Sequence, residues 1–329
     1  MSKSPILQVK NLVTTFETEL GSVKAVNGVS FNLQKGKTLG IVGESGCGKS
    51  VTALSIMRLL PQPAGKIASG EIVFDGIDLT TETPKAMRSI RGKRISMIFQ
   101  EPMTALNPVH RIAKQLAEPY SLHHPEMTSQ EILNASISIL QKVGISAPEQ
   151  RIKDYSHQLS GGMRQRVMIA MALACNPEII IADEPTTALD VTIQAQILAL
   201  MKSLQAETGM AIIFITHDLG VIAETCEDVA VMYAGNVVEK APVIELFKNP
   251  RHPYTIGLLK SMPRLTHPPK QKLYTIEGVV PDLYHLPSGC RFQNRCPHKI
   301  LKCEQKQPAA ELANSEHLVS CHRWKEIHQ

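Results

Sequence analysis

The sequence predicts a mixed α/β fold: a mainly parallel sheet, an antiparallel β portion, a helical insertion and a small cysteine-rich C-terminal region. Three observations predict it. Residues 43 to 50 read Gly-Glu-Ser-Gly-Cys-Gly-Lys-Ser, a complete G-x-x-x-x-G-K-S phosphate loop between an apolar strand-like run (Thr38 to Val42) and a helix-like run (Val51 to Met57). Further along, apolar strands alternate with helices, the mark of a parallel sheet covered on both faces. After Asn249 the chain turns rich in proline and cysteine.

In chain order, Ile6 to Phe16 and Ala25 to Leu33 alternate apolar and polar residues, as half-buried strands do. Gly36-Lys37 turns into the strand before the phosphate loop, and Gly70 to Phe74 and Ile95 to Phe99 read as further short strands. From about Thr104 to Gln158 the apolar positions follow helical spacing (Ile132, Leu133, Ile137, Leu140, Val143), which predicts a helical insertion over about 104–160. A helix from about Gly162 to Cys175, the strand Ile179 to Ala182, a helix from Val191 to Glu207 and the strand Ala211 to Thr216 restore the alternation. Beyond residue 249 the one regular element expected is a short helix near Tyr254 to Met262. The expected domains are 1–248 and 249–329.

The totals exclude several classes of function. The chain has 329 residues, 43% of them hydrophobic and 20% charged, as in an ordinary globular protein. A net charge of +5 spread along the chain, with a single tryptophan, gives no nucleic-acid footprint. No apolar run approaches the roughly 20 residues that span a bilayer, and the N-terminus lacks a signal peptide's apolar core. The expected location is therefore cytoplasmic, with any membrane role carried by partners.

The residues that bear chemistry fall into three groups. In the loop, Gly43, Gly46 and Gly48 let backbone N–H groups curl toward phosphate oxygens, and the following helix adds its positive end. Lys49 can reach the β- and γ-phosphates, and the Ser50 hydroxyl can ligate Mg²⁺. Cys47 stands at a variable loop position and reads as non-catalytic, with a sensitivity to thiol reagents. Second, Ile179 to Glu184 is a buried strand ending in Asp183-Glu184. Asp183 can hold the Mg²⁺ shell and Glu184 can polarise water for in-line attack; taken alone, the pair would read equally well as a cap of the next helix. Third, Leu159-Ser160-Gly161-Gly162-Met163-Arg164-Gln165 places Ser160 at another helix start suited to phosphate. One nucleotide does not need two such ends from one chain, so this end serves a nucleotide held by a second subunit.

With these motifs in place, the chain resembles the ATP-binding subunits of ABC transporters over roughly residues 6 to 248, so the α/β core is expected to be a P-loop ABC ATPase core. The resemblance implies ATP and Mg²⁺ as ligands, with nucleotide contacts from Phe16, Gly43, Glu44, Ser45, Gly46, Cys47, Gly48, Lys49, Ser50 and Val51. Phe16 matches the adenine-stacking aromatic by position only. Gln100 matches the glutamine that senses Mg²⁺ and communicates with membrane subunits, His217 the switch histidine at the γ-phosphate, and Ala188-Leu189-Asp190 the loop that crosses the dimer interface. Ser160, Gly161, Gly162 and Gln165 form the signature facing the partner's ATP. The implied partners are a second, non-identical ATP-binding subunit, two transmembrane permease subunits and a periplasmic or extracellular solute-binding protein. The implied place is peripheral, on the cytoplasmic face of the inner or plasma membrane.

Asn249 to Thr255 and the run Gln100 to Pro108 resemble the oligopeptide, dipeptide and nickel importer branch, the dipeptide-type subunits above all. Import of di- or oligopeptides is the implied function. A nickel or metal-chelate importer and a non-transport ABC ATPase are the alternatives. The tail spacing Cys290-x5-Cys296-x6-Cys303-x17-Cys321 differs from the usual zinc and ferredoxin patterns and chooses no metal by itself. Resemblance to relatives with Cys-x5-Cys-Pro favours a [4Fe–4S] cluster, with Zn²⁺ the alternative.

Overall fold

The structure, a computed structural model, describes residues 4–100, 105–187, 189–263 and 272–327. Its strands are β1 (Leu7–Thr18), β2 (Gly21–Leu33), β3 (Thr38–Val42), β4 (Gly65–Phe74), β5 (Ile77–Asp78), β6 (Ile95–Ile98), β7 (Ile179–Asp183), β8 (Ala211–Thr216), β9 (Asp228–Tyr233), β10 (Asn236–Pro242), β11 (Glu311–Leu312) and β12 (Leu318–Val319). The chain forms two compact units. One comprises the described residues of Met1–Leu33, Thr38–Thr80 and Thr216–Gln329; the other, those of Gln34–Lys37 and Thr81–Ile215.

In the first unit, β1 and β2 form a long antiparallel hairpin from Leu7↔Leu33 to Thr18↔Gly21, and β4 pairs with the other edge of β1 from Leu7↔Phe74 to Phe16↔Gly65. Alternation puts Leu7, Val9, Leu12, Val26, Val29, Ile72 and Phe74 inside. A second group of strands runs β11–β12–β10–β9–β3. Here β3 and β9 are parallel, Leu39↔Asp228 to Val42↔Val231, and the remaining pairs are antiparallel. Every residue of β3 is buried, which a strand under cover on both faces requires. The turn from β9 to β10 is the two residues Ala234 and Gly235, at φ 43° and 84°. Two positive φ values match the twist of a two-residue hairpin. The C-terminal residues pack within this unit: β12 pairs with β10 (Glu239↔Val319), and the helix Pro253–Lys260 buries Tyr254, Ile256 and Leu259.

In the second unit, β6, β7 and β8 are parallel, from Ile95↔Ile179 to Ile98↔Ala182 and from Ile179↔Ala211 to Asp183↔Ile215. Their apolar runs are wholly buried, each fully covered Ile contributing about 1.5–3 kcal/mol of transfer free energy. The helical insertion is built from Ile112–His123, Ser129–Lys142 and the four-residue turn Pro148–Arg151. Thr128 and Glu131 start the second of these with a reciprocal capping box, which fixes where it begins. The helices Gly161–Leu173 and Val191–Thr208 follow. Among the described residues, no helix is long and apolar enough to cross a membrane.

Candidate functional site

The phosphate loop leaves β3 and enters the helix Lys49–Ile56. Its curl needs glycine at two points. A Cβ on Gly43 would stand 2.2 Å from the Met232 carbonyl oxygen, and one on Gly48 would stand 2.5 Å from that of Ala25. The first N–H groups of a helix lack intrahelical partners, and the N-cap Gly48 brings no side chain to cap them, so this end suits an anion.

Lys49 is buried and folded back on its own loop: its Nζ donates to the carbonyls of Gly43 (2.7 Å) and Glu44 (3.2 Å). Cys47 is fully buried as well, and burial raises its thiol pKa against the opposing charge of Lys49. A covered thiol with a raised pKa reacts slowly, which argues against the expected sensitivity to thiol reagents. Glu44 is tied to the C-terminal part of the chain. Its backbone N–H donates to the Tyr254 hydroxyl at 2.9 Å, and its carboxylate meets the Arg295 guanidinium at 2.6 and 3.0 Å. Sequence reasoning missed these contacts, which span more than 200 residues: Tyr254 was read only as part of the run Asn249 to Thr255 and of the short helix expected there, and Arg295 carries no motif. In the same unit Phe16 sits half-buried on β1, and His217 is exposed just after β8.

The second unit carries the other predicted residues. Asp183 is the buried last residue of β7. Glu184 follows at φ 47°, a left-handed backbone rare for a non-glycine residue, with its N–H held by the Ile215 carbonyl at 2.8 Å. Its carboxylate accepts hydrogen bonds from Gln100 Nε2 (3.1 Å) and Thr187 Oγ1 (2.8 Å), so Gln100 and Glu184 are in contact. Residues 101–104 and Ala188 lie outside the described residues. Ser160 caps the helix Gly161–Leu173, its Oγ accepting from the Met163 N–H at 3.4 Å. Gly162 lies where a Cβ would meet Ile193 at 2.9 Å. Gln165, the last signature position, is buried, and its Nε2 has no hydrogen-bond partner among the described residues. Asp190 is exposed and caps the helix Val191–Thr208 through the Ile193 N–H at 3.0 Å.

The four tail cysteines are free thiols. Burial pushes Cys290, Cys296 and Cys321 up to about 11, and the charges of their fellow cysteines add to the rise. Cys290 feels Cys303 and Cys296, Cys296 feels Cys321 and Cys303, and Cys321 feels Cys290 and Cys303. Among the described residues, however, no three or more His, Cys, Asp or Glu side chains are placed to hold a metal ion as they stand.

Comparison with known proteins gives two family matches: the ABC transporter family over residues 26–187 and the oligopeptide/dipeptide transporter C-terminal region over 238–303. The dipeptide transport ATP-binding protein DppD of Bacillus subtilis is 52% identical over 316 residues, 96% of this chain and 94% of that protein. The oligopeptide transport ATP-binding protein OppD of the same organism is 50% identical, over 96% of this chain and 88% of its own. Among solved structures, the ATP-binding cassette MJ0796, a dimer bound to ADP and Pi in a post-hydrolysis state, aligns with a TM-score of 0.65 at 29% identity over 72% of this chain and 98% of that one. The subunit cbiO1 of Clostridium perfringens, part of the ABC transporter complex cbiONQ, aligns with a TM-score of 0.63 at 28% identity over 75% of this chain and 92% of its own.

Proposed function

This chain belongs to the ATP-binding subunits of ABC transporters and is an ATPase, and from that premise we propose that it powers the import of di- and oligopeptides across a membrane. The observation that carries the cargo class is the 52% identity to a dipeptide transport ATP-binding protein over 96% of the chain, tail included. The proposed division is 1–248 for the ATPase and 249–329 for the importer-type C-terminal region.

Two such subunits would close face to face, this one pairing with a non-identical ATPase, beneath two permease subunits fed by a solute-binding protein outside. The chain then sits peripherally on the cytoplasmic face. Each ATP would lie between one phosphate loop (Gly43 to Val51) and the other subunit's signature (here Ser160, Gly161, Gly162 and Gln165), with Asp190 in the interface and Phe16 at the adenine. Ser50, Gln100 and Asp183 offer a hydroxyl, an amide carbonyl and a carboxylate, hard oxygen donors that suit Mg²⁺. The ion would supply charge neutralisation on the phosphates.

Glu184 would take the proton of the attacking water. Its hydrogen bonds from Gln100 and Thr187 hold the carboxylate in one orientation and tie it to the glutamine that reports to the permeases. His217 would steady the γ-phosphate. We assign the four cysteines to a [4Fe–4S] cluster, Zn²⁺ being the alternative. The support is the donor chemistry of four free thiols in one compact unit, the Cys290 N–H donating to the Cys303 carbonyl at 2.7 Å, and it requires rearrangement from the geometry described above. Absorption of anaerobically purified protein near 400 nm tests it; a colourless, zinc-bearing protein overturns it.

The transport reading is tested in the assembled complex in vesicles. Glu184→Gln keeps the shape and loses the base, so it should retain ATP binding and lower hydrolysis by roughly 10²–10⁴-fold, stopping dipeptide uptake. Uptake of nickel in place of dipeptide, or dipeptide uptake indifferent to this substitution, overturns the proposal.

A further inference from the structure

The cysteine-bearing turn Cys290 to Cys296 carries an arginine at each end, Arg291 directly after the first thiol and Arg295 directly before the second. Both side chains reach toward the phosphate loop, within the same compact unit. Arg295 is the direct contact. Its side chain is 4% exposed, and its two terminal nitrogens grip the two carboxylate oxygens of Glu44, which is 33% exposed. A fork-on-fork pair of this kind fixes geometry as well as charge. The same guanidinium donates to the carbonyls of Glu277 (3.0 Å) and Ile276 (3.2 Å) and lies over the Tyr233 ring at 5.8 Å, so it is itself held rigidly. Arg291 is the indirect contact. It donates to the Ala234 carbonyl; the next residue, Gly235, donates its N–H to the Cys47 carbonyl of the loop at 2.9 Å.

Between the arginines, Phe292 packs edge-on against Tyr233, ring centroids 5.1 Å apart, and tilted against Tyr254 at 5.4 Å. Tyr254 in turn receives the Glu44 N–H. The second residue of the phosphate loop is therefore held by side chain and backbone from the C-terminal region. Through its carbonyl, 3.2 Å from Nζ, it also holds Lys49.

We propose that the turn Cys290 to Cys296 is a positioning element for the phosphate loop, with Arg295 setting the place of Glu44 and thereby of Lys49. The proposal rests on the reading that this loop binds ATP. Two physical effects carry it. Arg295 neutralises a carboxylate that otherwise adds negative charge beside an incoming triphosphate, and it removes freedom from the loop before the ligand arrives. Arg291 and Arg295 leave the same short turn, so both ends of that turn bear on the phosphate loop.

The test uses the full-length chain, with Mg–ATP affinity by calorimetry, kcat and KM in the assembled complex, and backbone hydrogen exchange over residues 43–49. Arg295→Met keeps the bulk and removes the charge. It should raise Kd and KM about tenfold, equivalent to about 1.4 kcal/mol, with kcat within about twofold, and should speed exchange over 43–49. Adding Glu44→Gln removes the exposed charge that Arg295→Met leaves behind, so the double variant should bind no worse than Arg295→Met alone. Unchanged affinity and exchange in a folded Arg295→Met protein, or strictly additive losses in the double variant, overturn the proposal. Where Arg295→Met does not fold, Glu44→Gln and Tyr254→Phe carry the same affinity and exchange measurements. Should wild type fail to bind ATP and Lys49→Ala make no difference, the ATPase reading falls, while exchange over 43–49 still decides the coupling.

Discussion

Acidification should weaken this protein through one buried imidazole. His252 is 1% exposed and caps the helix Pro253–Lys260, its Nδ1 accepting the Tyr254 N–H at 3.1 Å. Accepting that bond requires a neutral ring, because a protonated imidazole has two donors and no acceptor. Burial holds the ring neutral and lowers its pKa from 6.5 to about 4, the nearby Glu239 carboxylate opposing the shift. The folded value lies below the unfolded one, so stability is fully present above about 6.5 and is lost as the pH falls toward about 4. At roughly 1.36 kcal/mol per pH unit the complete loss is about 3.4 kcal/mol, of which about 2 kcal/mol falls between about pH 7 and pH 5.

The assay is urea denaturation at those two pH values for wild type and His252→Asn. Asparagine keeps a carbonyl oxygen at the cap and does not titrate. The buried His317–Glu239 pair, at 2.7 Å, is present in both proteins. Wild type should lose about 2 kcal/mol more than the variant on acidification. Equal losses in the two proteins would refute the assignment of the titration to His252.

The remaining predictions concern the two helix starts. Gly43→Ala drives a methyl group against the Met232 carbonyl, so the loop must deform; ATP affinity should fall at least about tenfold, read by calorimetry, with about 1–3 kcal/mol of stability lost in urea. Ser160→Ala removes the cap that receives the Met163 N–H and should cost about 1 kcal/mol. Ser160→Asp keeps the cap, so it should melt like wild type, yet its added charge should abolish hydrolysis in the assembled complex. Wild-type turnover by that variant would show that this helix end meets no phosphate.

The parallel strands were legible because they are continuous apolar runs bounded by polar residues: Ile179 to Ala182 and Ala211 to Thr216 lie as read, and the helical spacing around Ile132 to Val143 marks the helix Ser129–Lys142. The strand β9 carries an equally apolar run, Val229 to Tyr233, followed by a turn at Ala234 and Gly235, and reasoning from motifs passed over it. Short β4 was read from Gly70, whereas pairing with β1 extends it back to Gly65, because a partner's register decides where a strand starts. The shape of the phosphate loop was legible because its glycines set the local backbone between β3 and the helix Lys49–Ile56. The grip of Arg295 on Glu44 was not legible. It joins residues 251 positions apart; Glu44 reads only as a phosphate-loop position and Arg295 as an ordinary surface charge.

The backbone at Glu184 has a consequence for anyone who redesigns this chain. A non-glycine residue held at φ 47° costs of the order of 1 kcal/mol, so a sequence optimised only for folding would put glycine or asparagine there. Thermostabilised versions selected on melting temperature should therefore drift toward losing this carboxylate and, on the role proposed for Glu184, become sturdier proteins with most of their hydrolysis gone.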